Sequence, residues 1–252
     1  MRKRMNPSNL SLIVMFSLAL AAAPPAVQAA EFSQAELYVE LNNTDEDLGI
    51  HGAVDGGAYS RLEIEDPNER VILVLRAVGR LARQGLTQLF FESAEPTFDE
   101  LEPEEFFRRF PEGTYEIDAV SLTGEEIEGS VVFSHVLATP VGNITIAGVP
   151  AAENCDADPL PSVNGDEPVI IDWDPVTTSH PTIGKTGPIQ ISRYQFFVER
   201  EGVKIAVDLP PTVTQFEVPA DILALGDEFK FEIIARTASG NNTAIESCFT
   251  LE

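Results

Sequence analysis

The fold of this chain is decided by the stretch Ile170-Ile171-Asp172-Trp173-Asp174-Pro175. Two β-branched residues lead into Trp173, the only Trp of the chain, and a Pro ends the run. From Phe229 to Ala235, apolar residues recur at every second position, which predicts a strand with one buried face. Ser239-Gly240-Asn241 then has the composition of a hairpin turn. These spacings are typical of an all-β segment.

The stretch around Trp173 resembles the second strand of fibronectin type III modules, in which a Trp packs between two sheets just before a Pro. Leu223 to Phe229 is similar to the Leu-x-Pro-Gly-Thr-x-Tyr corner of that family, and Ser239-Gly240-Asn241 stands where the family has its last hairpin turn. Phe229 replaces the family's Tyr, so the Tyr hydrogen bond across that corner cannot form here. The resemblance implies a sandwich scaffold for binding or spacing. Its implied core is Trp173, Tyr194, Phe216, Phe229, Phe231 and Ile233.

The N-terminal half also has strand patterns, with one helical interruption. Leu37, Val39 and Leu41 alternate with polar or amphipathic residues, and Tyr115 to Ala119 is expected to pair with Val131 to Phe133 across a turn. Pro103 to Arg109 predicts a short helix, because Pro stands first, acids fill the first turn and Arg the last. Phe110 to Tyr115 is similar to the start of the penultimate strand of bacterial immunoglobulin-like modules.

We therefore predict an all-β protein with two tandem β-sandwich domains. The N-terminal sandwich is immunoglobulin-like or jelly-roll-like with one short helix, and the C-terminal one is fibronectin type III-like. Four segments follow from the composition: a signal peptide over 1–29, a sandwich over 30–138, a linker over 139–166 with a candidate first strand at Ile144 and Ile146, and the second sandwich over 167–252.

The first residues have the pattern of a secretory signal. Arg2, Lys3 and Arg4 precede an apolar run from Leu10 to Ala23, and small residues end at Ala29. The alternative is an uncleaved anchor, but this run is shorter than the ~20 residues that span a bilayer. We predict cleavage after Ala29, a secreted or periplasmic location, and a mature chain without a transmembrane segment.

The chain is strongly acidic. Its 41 Asp and Glu against 16 Lys and Arg give a net charge of −25, and residues 1–29 hold three basic and no acidic residues, so cleavage leaves −28. Such a charge disfavours nucleic acid and anionic lipid as partners. It suits cations, basic partners or simple solubility. The two cysteines, Cys155 and Cys248, predict a disulfide, which in the chain-entropy model contributes roughly 4–5 kcal/mol.

A polar turn offers the strongest metal pattern. Asn43, Asp45 and Asp47 place oxygen ligands at alternate positions before Gly49, an arrangement that can wrap calcium if the Gly adopts a positive φ. The same residues also occur in ordinary turns between strands. A transition-metal site that combines His51 and His135 with Asp45 or Asp47 is a weaker alternative, since such sites need three or four ligands.

The longest irregular segment of the second domain runs from Val176 to Ile189. It is predicted to be a binding loop, with Thr177, Thr178, Ser179, His180 and Lys185 as its candidate contacts and His180 in solvent. It should emerge at the same end of the sandwich as Ser239-Gly240-Asn241. The alternative is a solvated insertion that folds back over an apolar edge.

The sequence motifs limit the classes of function that the chain is expected to have. The chain has no Gly-x-Ser-x-Gly elbow, phosphate loop or His-Glu-x-x-His run, so catalytic residues are not predicted. We predict a secreted or periplasmic non-catalytic protein for binding or spacing, with an unknown protein or glycan of the cell envelope as partner and no cofactor other than calcium. The alternatives are a carboxylate-dependent hydrolase and a calcium-binding envelope protein.

Overall fold

The computed structural model describes residues 30–200 and 202–252, so the predicted signal peptide lies outside the described residues. The all-β prediction is confirmed: the described residues form sixteen strands and three short helices, with the sheets stacked as sandwiches. None of the helices in the described ranges has the length and apolar character needed to span a membrane.

The N-terminal half is built around one long strand. Its elements are β1 (Ala30–Glu31), β2 (Gln34–Asn42), β3 (Asp47–Glu65), β4 (Val71–Arg76), α1 (Gly79–Gln84), β5 (Leu86–Glu92), α2 (Pro103–Arg109), β6 (Gly113–Ser121) and β7 (Glu126–Phe133). The first part of β3 pairs with β2 and β5, and its second part pairs with β6 and β4. A register shift between Asp55 and Tyr59 separates the two parts.

Two predicted features of this half are confirmed. The helix over Pro103–Arg109 is α2, and its Phe106 is buried against the core. The predicted hairpin is β6–β7, with Tyr115 opposite Val131. The Tyr115 hydroxyl donates to the Pro111 carbonyl at 3.0 Å, the hydrogen bond that characterises a tyrosine corner. The corner of the second half has Phe229 in place of a Tyr, so this hydrogen bond cannot form there.

The C-terminal half consists of two stacked sheets. Its elements are β8 (Thr145–Ile146), β9 (Val149–Pro150), β10 (Ser162–Val163), β11 (Ile170–Asp172), β12 (Ile191–Arg200), β13 (Val203–Leu209), β14 (Gln215–Glu217), α3 (Ala220–Leu223), β15 (Glu228–Thr237) and β16 (Asn242–Leu251). One sheet has the order β14-β11-β8-β9, and the other contains β13-β12-β15-β16 with β10 beside β16. Ile146 of β8 and Val163 of β10 belong to the core, so part of the predicted linker packs inside this half.

The predicted core of the second half is confirmed. Trp173 is 3% exposed and lies between Tyr194 and Phe196, at ring-centroid distances of 5.6 and 6.1 Å. Phe229, Phe231 and Ile233 are buried around it, and Phe216 is partly buried against the same cluster. The predicted disulfide between Cys155 and Cys248 is also present.

The two halves share one sheet although each has its own core. β2 of the first half pairs in parallel with β16 of the second, which links the strands into a twelve-stranded sheet. The apolar clusters remain separate, one around β2, β3 and β6 and one around Trp173. The sequence did not predict this continuity. The boundaries 30–138, 139–166 and 167–252 stay a prediction.

Replacing Trp173 tests the core of the second half. We expect Trp173→Ala to lower the free energy of unfolding by ~3–5 kcal/mol, because it removes a large side chain from between two rings. Urea unfolding measures the change. Leu225→Ala, at a position 45% exposed, is the matched control and should change the free energy by less than ~1 kcal/mol. Equal effects of the two variants would contradict the assignment.

Candidate functional site at the junction of the two halves

The junction is held by backbone pairing. In the parallel register Glu40 lies opposite Asn242, and Asn42 lies opposite Ala244. The Asn43 amide continues the ladder by donating to the Ala244 carbonyl at 2.9 Å. A parallel pair usually requires a long crossover connection, and here most of the chain lies between the two strands. Strands from opposite ends of the described sequence therefore meet at the centre of the sheet.

Asn241 connects three segments at this junction. Its side chain is 1% exposed, and its Oδ1 accepts a hydrogen bond from the Val39 amide at 2.9 Å. Its Nδ2 donates to the carbonyls of Ser134 and Val136 at 2.8 and 3.1 Å. The predicted turn at Ser239-Gly240-Asn241 is present, with Gly240 at φ +100°, a backbone conformation that favours Gly. The turn thus contacts the first half.

Arg236 brings a buried charge to the same place. It is 5% exposed, and its guanidinium donates to Glu36 at 2.7 Å and to Asn242 at 3.2 Å. The guanidinium carbon also lies 4.3 Å from the centre of the Tyr38 ring. Removing one partner of such a pair leaves a buried charge uncompensated, which costs more than the pair itself contributes. The Arg236–Glu36 pair therefore connects the two halves at this point.

The segment from Val176 to Ile189 lies against the first half. The Thr178 carbonyl accepts from the Thr139 amide at 2.9 Å, and the Lys185 amide donates to the His135 carbonyl at 2.9 Å. The Lys185 ammonium also forms an ion pair with Glu112. Ile183 packs against the core of the first half. The segment is thus part of the junction, while its predicted role in binding stays a prediction.

The expectation that His180 lies in solvent is wrong. His180 is 7% exposed, and its Nδ1 accepts hydrogen bonds from the amides of Ile183 and Thr182 at 2.9 and 3.3 Å. Its Nε2 therefore carries the proton and donates to the Asn43 Oδ1 at 3.2 Å. Burial lowers the pKa of His180, so the neutral ring is favoured. The preceding residues gave no local signal for this contact, because its partner lies far away in sequence.

The two other histidines occupy different environments. His135 donates through its backbone amide to Glu112 at 2.7 Å, and its Nε2 lies 2.7 Å from the Phe110 carbonyl. Its ring packs against Phe107 and Phe133, and burial lowers its pKa. His51 instead groups with carboxylates of the junction. The structure therefore does not combine His51 and His135 in one cluster.

Carboxylates crowd one face of the shared sheet. Burial raises the pKa of Asp47 to about 6, and Glu95, Asp45 and Glu246 add to the rise. Across the junction, burial raises the pKa of Glu232 to about 7, with further contributions from Glu246 and Glu40. Glu232 lies directly opposite Glu246 in the register of β15 and β16. The crowding spans both halves, because Glu246 acts on Asp47 and Glu40 acts on Glu232 across the junction.

A mixed cluster lies beside Asp47. The nearest ligand atoms of Glu40, His51 and Glu95 all fall within 4.8 Å of one another, and His51 Nε2 is 3.0 Å from Glu95 Oε1. His51 is 5% exposed. Gly49 makes the approach possible, because a Cβ at that position would lie 2.4 Å from Glu95 Oε1. Two carboxylates and an imidazole are a ligand set that suits a divalent transition metal.

Two of the three predicted calcium ligands accept hydrogen bonds from other side chains. The Asn43 Oδ1 accepts from His180, and Asp45 accepts from the Asn42 side chain at 2.9 Å. The Asp47 Oδ1 is buried without a hydrogen-bond partner among the described residues. Gly49 lies within β3 without a positive φ, so the expected conformational role of this Gly is wrong and its role is to leave space for Glu95. Calcium binding by the three residues stays a prediction.

No protein-family model matches this sequence, and no curated relative matches it. Among solved structures, a two-domain fibronectin type III segment of chicken tenascin is similar at TM-score 0.28 and 11% identity, over 87% of this chain and 98% of that one. A tetra-tandem repeat from the extending region of a large adhesion protein matches at TM-score 0.27 and 13% identity. A Ca²⁺-stabilised, ice-binding adhesin of an Antarctic bacterium has the same two values.

The overlap with the two adhesins is partial. The chain covers half the length of each adhesin structure, while 86% and 89% of this chain is matched. TM-scores of this size carry no argument about the function of this chain.

The acidic face should make stability depend on pH. A folded-state pKa raised to about 7 means that Glu232 stabilises the fold when protonated, and that this stability is lost as the pH rises through 7. Between pH 5 and pH 8, we expect the wild type to lose roughly 1–2 kcal/mol more unfolding free energy than Glu232→Gln. Urea unfolding at the two pH values measures this. Glu228→Gln, at an exposed position of the same strand, should keep the wild-type slope.

Proposed function

We propose that this chain is an exported, non-catalytic element for binding or spacing, whose two β-sandwiches are held in one fixed orientation. Export and a partner in the cell envelope are part of the proposal, supported by the basic and apolar first residues and by the disulfide. The single observation that carries the spacing function is the sheet that continues through β2 and β16. A flexible linker would instead leave the two halves free to move.

The polar contacts at the junction support a fixed orientation. Asn241, Arg236 and His180 are each at most 7% exposed, and each bonds across the two halves. Separating the halves would expose these groups and break the ladder between β2 and β16 together. Since several hydrogen bonds must be lost at once, the junction should open cooperatively or only on unfolding.

The partner-contacting residues proposed here are the exposed members of the loop. Thr177, Thr178 and Lys185 are exposed, while Ser179 is half-buried and His180 is buried. The exposed residues lie on a segment whose backbone is already fixed by the first half. A pre-ordered loop loses less conformational entropy when it binds, which favours a binding role for these three side chains.

A carboxylate-dependent hydrolase is the second proposal, because one of two facing carboxylates has a raised pKa. Glu232 has a pKa of about 7 and lies opposite Glu246, so it could hold a proton at neutral pH. The Lys230 ammonium forms an ion pair with Glu246 at 2.5 Å. Glycan or peptide hydrolysis that Glu232→Gln abolishes would support this activity over spacing.

Calcium binding at Asn43, Asp45 and Asp47 is proposed as an accessory property of the same junction. Asp47 supports it, because its Oδ1 is buried without a hydrogen bond and its pKa is about 6. A cation beside Asp47 would offset the repulsion from Glu95 and Glu246. The ion would then stabilise the orientation of the two halves rather than take part in a reaction.

Removal of Asn241 tests the fixed orientation. Asn241→Ala leaves the buried Val39 amide and two carbonyls without partners, so we expect a loss of roughly 2–4 kcal/mol in the free energy of unfolding. Spin labels at Gln88→Cys and Asp208→Cys report the distance between the halves. The wild type should give one narrow distance distribution, and Asn241→Ala a broader one.

Gln84→Ala is the matched control, since Gln84 is exposed at the end of α1. It should change neither the stability nor the distance distribution. A broad distribution in the wild type itself would contradict the proposed spacing function, whatever the effect of Asn241→Ala.

Cation binding is tested by thermal unfolding with added metal. We expect millimolar calcium to raise the wild-type Tm by several degrees, in proportion to binding of the folded state. Asp47→Asn should remove this rise, whereas Asp208→Asn on β13 should keep it. A zinc-dependent rise that His51→Gln removes, without any calcium response, would assign the ion to Glu40, His51 and Glu95 instead.

A further inference from the structure

One segment is basic although the whole chain is strongly acidic. The 21 residues of 71–91 contain Arg76, Arg80 and Arg83 but no Asp or Glu, in a protein with 41 acidic residues. The segment comprises β4, α1 and β5, and it runs along one side of β3. This segment, with its net charge of +3, is named the basic edge.

The three arginines of the basic edge are exposed and have no ion pairs with the described residues. Other arginines of this half do have such partners: Arg108 bonds to Glu105, and Arg61 to Glu63. In a chain with so many carboxylates, three neighbouring cations without ion pairs represent unsatisfied charge. Their natural complement is an anionic group on another molecule.

The basic edge is also apolar. Helix α1 buries none of its residues. Within the described ranges, eleven large hydrophobic side chains are exposed, and five of them belong to this segment: Val71, Val74, Val78, Leu81 and Phe90. Val78 is 72% exposed and Phe90 is 61% exposed. Such a concentration of exposed apolar side chains in one segment is typical of an interaction surface.

The backbone of the basic edge is open as well. Among the described residues, β4 and β5 each pair only with β3, so the outer N–H and C=O groups of both strands lack a neighbouring strand. Neither strand contains a Pro that would block pairing. An open, apolar strand edge is a template for an added strand. Arginines beside this edge favour an added strand that carries negative charge.

From these three features we propose that the basic edge binds an extended acidic segment of another polypeptide, which adds as a strand to β4 or β5. The open backbone groups would pair with the segment, the exposed Val and Phe side chains would cover its apolar face, and Arg76, Arg80 and Arg83 would pair with its carboxylates. This inference is independent of the fixed orientation of the two halves. A lipid surface or nucleic acid would use the charge but leave the strand edge unpaired.

The test uses labelled ten-residue peptides and the full chain in fluorescence anisotropy. The probes are an alternating Glu–Val peptide, an alternating Lys–Val peptide, and a Glu–Val peptide with N-methylated backbone amides. We expect the Glu–Val peptide to bind at least ~10-fold more tightly than either of the others, and its affinity to fall with added salt.

The arginines are then changed together. Arg76→Gln/Arg80→Gln/Arg83→Gln should weaken binding of the Glu–Val peptide by ~10-fold or more and leave the Tm unchanged, because all three side chains are exposed. Arg108→Gln/Arg109→Gln is the matched control and should leave the affinity unchanged.

Three outcomes would overturn the proposal. The first is no binding of the Glu–Val peptide, or equal binding of the acidic and basic peptides. The second is sedimentation of the protein with phosphatidylglycerol vesicles that the triple variant abolishes, which would assign the surface to anionic lipid. The third is a dimer in sedimentation equilibrium that the triple variant dissociates, which would assign it to a second copy of the chain.

Discussion

The parallel pairing of β2 with β16 is the constraint on which the rest of the structure depends. One face of β2 packs Leu37, Val39 and Leu41 into the first core, while its edge completes a sheet that belongs to the second half. A tilt of β2 would therefore disturb both the first core and the sheet of the second half. Asn241 reinforces it by satisfying backbone groups of β2 and of the segment after β7 with one buried side chain. The halves have separate cores and yet cannot be positioned independently.

Local features of the fold could be predicted from sequence, and distant contacts could not. Pro103 and its acidic neighbours determine the first turn of α2, and alternation around Phe231 determines a strand, because both signals are complete within a few residues. Asn241 has the composition of a turn residue, and nothing nearby indicates that Val39 needs its oxygen. The prediction that His180 lies in solvent was wrong for the same reason, because its partner Asn43 is 137 residues away in sequence. Burial of a polar residue is decided by its partner.

The charges of this protein also show the difference between local features and distant contacts. Net charge indicates that carboxylates are numerous, but their pKa values depend on which strands meet. Glu232 and Glu246 become neighbours only through the register of β15 and β16, and Glu40 joins them only through the junction. Their mutual repulsion opposes assembly of the face, while the Arg236–Glu36 pair favours it. Buried hydrogen bonds and a charge pair thus stabilise the junction, while repulsion between the carboxylates destabilises it. This repulsion weakens as the pH falls.

A fixed junction also determines what the exposed surfaces can do. β13 ends the twelve-stranded sheet in the second half, whereas β4 and β5 pair along the outer side of β3 in the first. One continuous sheet connects these edges, and the proposed fixed orientation would keep their separation and direction constant. A partner that contacts both would lose no entropy to ordering the two halves, which is the advantage of preorganisation. If the chain has the proposed spacing function, the pairing of β2 with β16 would therefore also favour the binding of such a partner.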